Sequence, residues 1–210
     1  NKFLILPQSV CYREENNLLS DIDVYSKCGK SITICARDNS SYNLLKKNFV
    51  NNNVILVPDM AFYTDPVYLA PNPKTGRVLF LNRKDVEFLE SSNYSIIPEN
   101  SEVHDWPTIE RFWWIQNKYV AFKRYTLKKW YPRCFLHIED LLWQKLILPY
   151  YLHNGISFVN KYDTIYSTRL HVAILGVLLN KNVYFFNNSY GKNFALYDTW
   201  LRDFSNVKCV

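Results

Sequence analysis

Short apolar runs closed by polar turns set the rhythm of the chain at both ends. Residues 3–6 form one such run, which opens the chain in mid-sheet and ends in Pro7-Gln8-Ser9. Residues 31–35 and 54–57 form two more, the last closed by Pro58-Asp59. Apolar runs of this length, bounded by turn residues, predict buried strands. Between the second and third, residues 39–50 carry a helical period that opens near Arg37-Asp38. Residues 77–81 predict a strand that begins a second sheet, and residues 93–98 one more short strand. The clearest pattern lies at 164–186. Thr164-Ile165-Tyr166-Ser167 reads as a strand, and Ser167 or Thr168 then caps a helix. The helix's apolar Val172, Ile174, Leu175, Leu178 and Leu179 run to Asn180, and residues 183–186 form the next strand. Strand, helix, strand is one βαβ unit of a parallel sheet. Residues 135–153 predict a helix that Pro149 kinks or stops. Residues 196–204 predict a closing helix with Trp200 and Leu201 buried.

The segments between these runs change the picture. Residues 63–75 hold turn signals (Asp65-Pro66, Pro71-Asn72-Pro73, Lys74-Thr75) and no period, which predicts an interdomain linker. Residues 108–133 hold seven basic side chains, one acidic and eight aromatic. On a helical wheel Phe112, Trp113, Ile115, Tyr119, Val120, Phe122, Leu127 and Trp130 fall on one side. Arg111, Lys118, Arg124, Lys128 and Lys129 fall on the other. An interfacial membrane anchor has this pattern. So does a helix that packs its apolar stripe on its own domain and leaves a basic face in water. The segment's net charge of +6 equals that of the whole chain, so attraction to an anionic surface is expected either way. No nucleic-acid-binding motif accompanies the charge.

Composition sets the outer limits. With 210 residues, 48% of them hydrophobic, the chain can build one large domain or two small ones. No run of 18 apolar residues predicts a membrane-spanning helix, and no signal peptide is recognised. The cysteines (Cys11, Cys28, Cys35, Cys134, Cys209) lack metal-ligand spacing and read as reduced, mostly buried thiols of a cytosolic protein. GxGxxG, P-loop, HExxH and GxSxG patterns are absent. His104, His137 and His153 stand alone and read as surface or core residues.

The candidate chemistry gathers at 168–192. Arg169 and His171 fall at the first turn of the predicted helix, just past the carboxyl end of a strand. There the helix dipole and free N–H groups favour an anion, and open α/β sheets place ligands at that edge. Thr168-Arg169-Leu170-His171 is followed, after the helix, by Asn188-Ser189-Tyr190-Gly191-Lys192. Upstream stand Leu6-Pro7-Gln8-Ser9, Ala36-Arg37-Asp38 with Ser40 or Ser41, and Val57-Pro58-Asp59-Met60-Ala61-Phe62. In this order and spacing the pieces resemble the polysaccharide pyruvyl transferase family. The resemblance implies an α/β fold of the glycosyltransferase-B-like kind, with two Rossmann-like lobes of parallel sheet and the site in the cleft. Residues 1–64 would be the first lobe, 65–76 the linker and 77–192 the second lobe, with 108–133 as a basic aromatic helical insert. Residues 193–210 would form a helix packing back on the first lobe. The family's Gly-Asp-containing βα unit upstream of the first strand has no counterpart here, so a first lobe truncated at its N-terminus is expected.

The reaction implied is transfer of pyruvate from phosphoenolpyruvate to two hydroxyls of a sugar, forming a cyclic ketal in cell-surface polysaccharide (capsule or exopolysaccharide) biosynthesis. A small donor with up to three negative charges needs cationic side chains and helix N-terminal amides, with no metal or other cofactor. Arg169 and Arg83 supply charge in this reading, because the planar guanidinium fork binds two oxygens at once. His171 is the acid or base, since an ordinary histidine titrates near 6.5; the bland alternative is a histidine capped by a local carbonyl. Arg37 is a second-rank site residue that reads equally as an ion pair or cap with Asp38. Arg83 reads equally as a surface salt bridge to Asp85 or Glu87. Gln8, Asn188, Ser189, Tyr190 and Lys192 complete the implied substrate contacts, with Lys192 on the phosphate and Gly191 allowing close backbone approach. Lys118, Arg124, Lys128 and Lys129 would face a membrane or a lipid-linked acceptor, on a cytoplasmic enzyme peripheral to the inner face of the plasma membrane. Two other readings stay open. One is a nucleotide-sugar glycosyltransferase with Arg169 and Lys192 on the diphosphate; the other is a non-catalytic glycan- or membrane-binding module.

Overall fold

The computed structural model describes residues 2–65, 69–70, 74–82, 94–106, 117–122, 124–125, 140–141, 143–187 and 191–210. Its framework is mixed α/β with two parallel sheets. The first has three strands in the order β1-β2-β3, with β1 at Phe3–Gln8, β2 at Ile32–Ala36 and β3 at Asn53–Leu56. The second has five, in the order β5-β4-β6-β7-β8. Its strands are β4 (Val78–Leu81), β5 (Glu102–His104), β6 (Thr164–Ser167), β7 (Asn182–Phe185) and β8 (Val207–Cys209). Every strand pairing is parallel. Parallel strands need covering on both faces, which is why β2 and β6 are buried at all but one position each.

Helices supply the cover. α1 (Glu15–Cys28) has no fully buried residue, yet it leans Leu18, Ile22 and Tyr25 on the core of the first sheet. α2 (Asn39–Asn48) starts where the predicted helix does, and Asp38 caps it by accepting the Ser41 N–H at 2.8 Å. α3 (Leu148–Asn160) opens at Pro149, where the sequence predicted a kink or a stop. The proline sits in the helix's first turn, where its missing N–H is not needed, directly after a π-helical turn at Trp143–Ile147. α4 (Leu170–Leu178) is the helix of the βαβ unit, and left-handed Asn180 (φ 54°) follows its end. Gly176 lets α4 lie close on the sheet: a Cβ there would stand 2.8 Å from Val183 Cγ2 and 2.9 Å from Ile165 Cδ1. α5 (Lys192–Leu196) follows Gly191, whose φ of 72° suits only glycine readily, and runs into a π-helical turn at Tyr197–Leu201.

Four expectations change. The N-cap of α4 is Arg169, not Ser167 or Thr168; Ser167 Oγ instead accepts the Arg169 N–H at 2.9 Å, so the chain stays extended one residue further. The short strand expected at 93–98 is a 3-10 turn at Tyr94–Ile96, and the sheet gains Glu102–His104 in its place. The closing helix expected at 196–204 lies earlier, spanning Lys192–Leu196 and the π-helical turn Tyr197–Leu201, because the chain then straightens to add β8 beside β7. The cysteines are not mostly buried: among the four described, Cys35 alone is, while Cys11 and Cys28 are exposed. The expected helix at 108–133 is described only at 117–122 and 124–125, where it is helical.

The two sheets are bound to each other. Ala61 and Phe62, on the 3-10 turn Met60–Tyr63 after β3, pack into the core cluster that α4 shares with β7, α5 and β8. The Trp200 indole donates to the Arg37 carbonyl at 2.7 Å, and the Asn39 N–H donates to Thr199 Oγ1 at 3.0 Å. These contacts fix the carboxyl ends of β2 and β3 against the N-terminus of α4.

Candidate functional site

At that junction the strand ends of both sheets converge. Arg37 follows β2, Asp59 follows β3, and Arg169-Leu170-His171 follows β6. A cavity of about 370 Å³ lies between them, lined by Arg37, Trp106, Arg169, Leu170, His171, Val172 and Lys192. Lys192 also borders a second cavity of about 450 Å³, which includes Ser9, Cys11, Asp38, Asn39, Phe194 and Asp198. Trp106 and His171 also line a third, smaller and mostly apolar cavity of about 180 Å³ against α3 and α4.

Each cation in the first cavity is held differently. The Arg37 guanidinium donates from Nε to Ser9 Oγ at 2.9 Å and from Nη1 to Asp59 Oδ2 at 2.7 Å. Ser9 in turn donates to Asp38 Oδ2 at 2.6 Å, so the buried Asp38 serves both a helix cap and the arginine's support. The Arg169 guanidinium meets Asp105 through Nη2 at 2.8 Å, and Asp105 is half exposed. Arg169 Nε is buried with no hydrogen-bond partner among the described residues, which an incoming oxygen anion would satisfy. Lys192 opens α5 and faces both cavities.

His171 is the second residue of α4, and its ring is largely exposed. Its Nε2 stands 3.7 Å from Asp59 Oδ2, the same oxygen that Arg37 holds. Burial works to raise the pKa of Asp59, but His171, the Ala61 N–H and Arg37 outweigh it and hold the carboxyl well below the usual carboxylate range. The Ala61 N–H at 3.0 Å and Arg37 at 2.7 Å are direct hydrogen bonds. His171, at 3.7 Å, acts through space. A carboxylate so held stays ionised at any physiological pH.

Of the residues expected from the sequence, the structure brings Arg37, Arg169, His171 and Lys192 to one cavity. Gln8 is exposed; its backbone carbonyl accepts the Arg37 N–H at 3.3 Å, but its side chain is not part of the cavity lining. Lys118 and Arg124 lie exposed on the helical residues 117–122 and 124–125 and line none of the three cavities. Arg83, Asn188, Ser189, Tyr190, Lys128 and Lys129 lie outside the described residues. Gly191 serves a left-handed turn, and a Cβ there would meet nothing within 4 Å among the described residues. Sequence reasoning did not single out Asp59, Ser9 or Trp106 as site residues. Asp59 and Ser9 stood inside the quoted motifs, but nothing local marks them as neighbours of residues 22 and 28 positions away. Among the described residues no group of three His, Cys, Asp or Glu side chains is placed to hold a metal ion.

The chain is similar to known proteins. The profile described as polysaccharide pyruvyl transferase matches residues 1–190. EpsO of Bacillus subtilis (strain 168), whose name marks it as a candidate pyruvyl transferase, is 28% identical over 213 residues, covering 100% of this chain and 63% of the relative. The crystal structure of an uncharacterized protein from Klebsiella pneumoniae subsp. pneumoniae NTUH-K2044 matches with a TM-score of 0.62 and 23% identity, over 100% of this chain and 63% of that one. The chain thus spans a little under two thirds of the length of these relatives, and the structural match speaks to fold alone. The chain belongs to the polysaccharide pyruvyl transferase family.

Proposed function

We propose that this chain transfers a pyruvyl group from phosphoenolpyruvate to two hydroxyls of a sugar, forming a ketal on a polysaccharide or lipid-linked saccharide precursor. The observation that carries this reading is the meeting of Arg37, Arg169, His171 and Lys192 around one cavity sized for a small polyanion. In the reaction two acceptor oxygens bond to C2 of the donor, whose bond to the phosphate oxygen breaks. One hydroxyl proton ends on C3, which becomes a methyl group, and the other leaves with phosphate. Arg169, Arg37 and Lys192 bind carboxylate and phosphate; His171 relays the hydroxyl proton. The ledger closes without a redox step, so the donor is the one small molecule required. The two sheets serve as the lobes of a glycosyltransferase-B-like pair, with 1–64 and 77–192 joined by 65–76 and the helical part of 193–210 packed on the first. Capsule or exopolysaccharide synthesis at the cytoplasmic face of the plasma membrane is the setting this chemistry fits.

Calorimetric titration of phosphoenolpyruvate into the chain, beside a uridine diphosphate sugar, tests the reading. Phosphoenolpyruvate alone is expected to bind, and Arg169→Ala to lose that binding by about 10- to 100-fold. That range corresponds to one charge-assisted hydrogen bond of about 1.5–3 kcal/mol. Binding of the nucleotide sugar alone would transfer the site to glycosyl transfer.

A further inference from the structure

We propose that Asp59 is a positioning residue of this site, holding the Arg37 guanidinium in the cavity wall and facing His171 across the junction of the two sheets. The inference rests on the donor reading above and adds a residue which that reading does not use. A carboxylate beside an anion site is costly by charge alone, because it repels the donor. Its place is explained if orientation outweighs repulsion. Asp59 is 5% exposed, and each of its oxygens is committed: Oδ1 to the Ala61 N–H, Oδ2 to Arg37 Nη1. Ser9 takes Arg37 Nε, and Trp200 and Gln8 hold the arginine's backbone carbonyl and N–H. Two of the three guanidinium nitrogens are therefore fixed, and Nη2 is the one left, among the described residues, to meet donor oxygens. The same Oδ2 lies 3.7 Å from His171 Nε2, so one buried oxygen registers a residue of the first sheet against one of the second. A buried ion pair contributes little net stability, and orientation is the better account of its retention.

The sign of one affinity change separates this from a bystander charge. Phosphoenolpyruvate is titrated into the wild-type chain, Asp59→Asn, Arg37→Ala and the double variant, with Arg169→Ala as control. Positioning predicts about tenfold weaker binding in Asp59→Asn, although that change removes a negative charge from the wall. It also predicts no further loss when Asp59→Asn is added to Arg37→Ala, since Asp59 acts through the arginine. Equal or tighter binding in Asp59→Asn, or full additivity, would overturn it while leaving the donor reading intact. Failure of the wild-type chain to bind, or indifference of Arg169→Ala, would sink the donor reading and this inference with it. Should Asp59→Asn not fold, Arg37→Lys decides the point: it keeps the charge but cannot span Ser9 and Asp59 as a rigid fork. Loss of affinity as large as in Arg37→Ala supports an aimed guanidinium; wild-type affinity overturns it.

Discussion

Two residues apart on a regular helix, side chains diverge by about 200°, so an arginine and a histidine at 169 and 171 would face opposite ways. The structure resolves the conflict at Arg169, which keeps extended backbone (φ −103°, ψ 120°) and leaves His171 as the second helical residue. Both then reach one cavity. If His171 relays a proton and does not bind charge, His171→Gln should retain phosphoenolpyruvate affinity while phosphate release with an acceptor saccharide falls about 100- to 10,000-fold. Release at the wild-type rate would remove the histidine from the chemistry. Asp59 gives a pH prediction. Its folded pKa lies below the unfolded value near 3.9, so its contribution to stability is fully present above that value and is lost as pH falls through the folded one. The stability gap between wild type and Asp59→Asn, followed by denaturant unfolding, should therefore close as pH falls below about 4. A gap that widens on acidification would mean the folded carboxyl is protonated. The motif strings flagged Arg37, Arg169, His171 and Lys192, but not their supports. A carboxylate that holds a residue 22 positions away, and faces another 112 positions away, leaves no local period to read.

Among the elements, those with a strong apolar pattern were legible. β2, β6, α4 and β7 sit within a residue or two of their predicted bounds, because each holds buried apolar or β-branched positions bounded by turn residues. α1 went unread because it buries no residue fully and its apolar positions are diluted by Asp, Ser and Asn. β5 and β8, three residues each, owe their existence to neighbours that offer a free edge. α3 shows tertiary context overriding a local rule in another way. Gly155 lies inside it, where alanine would ordinarily be preferred by about 1 kcal/mol. A Cβ there would stand 2.9 Å from Trp106 Cζ2 and 3.2 Å from Cη2, and Trp106 lines two of the cavities. Gly155→Ala should therefore push the indole towards the site. The expected outcome is a lower melting temperature and weaker phosphoenolpyruvate binding, in place of the usual gain from Gly→Ala. A raised melting temperature with unchanged affinity would show that the indole yields freely.

At the scale of the whole molecule, exposed basic and apolar side chains meet among the described residues between 117 and 150. The chain carries a net charge of +6, and no described helix is long and apolar enough to cross a membrane. Yet Val120, Phe122 and Tyr125 are exposed on the helical segment that presents Lys118 and Arg124. Leu141, Leu146, Leu148 and Tyr150 are exposed around Lys145. The two segments are neighbours, since Tyr119 stacks on Trp143 at 5.3 Å and Trp143 meets Tyr151 at 6.3 Å. Burying only some of these aromatics between the segments leaves a mixed apolar and basic face, which suits the headgroup layer of an anionic bilayer. Each basic side chain near such a surface adds about 1 kcal/mol, falling off within a Debye length. Lys118→Glu with Arg124→Glu should therefore weaken co-sedimentation with phosphatidylserine-containing vesicles by 10-fold or more. Raising salt should mimic the loss, and neutral vesicles should bind feebly throughout. Such a variant leaves the cavity between the sheets untouched, so phosphoenolpyruvate affinity should not change. If vesicle binding survives both the charge reversal and high salt, the exposed leucines and aromatics carry the attachment. If the wild-type chain ignores anionic vesicles, the face belongs to contacts within the protein, and the acceptor must reach the site from solution.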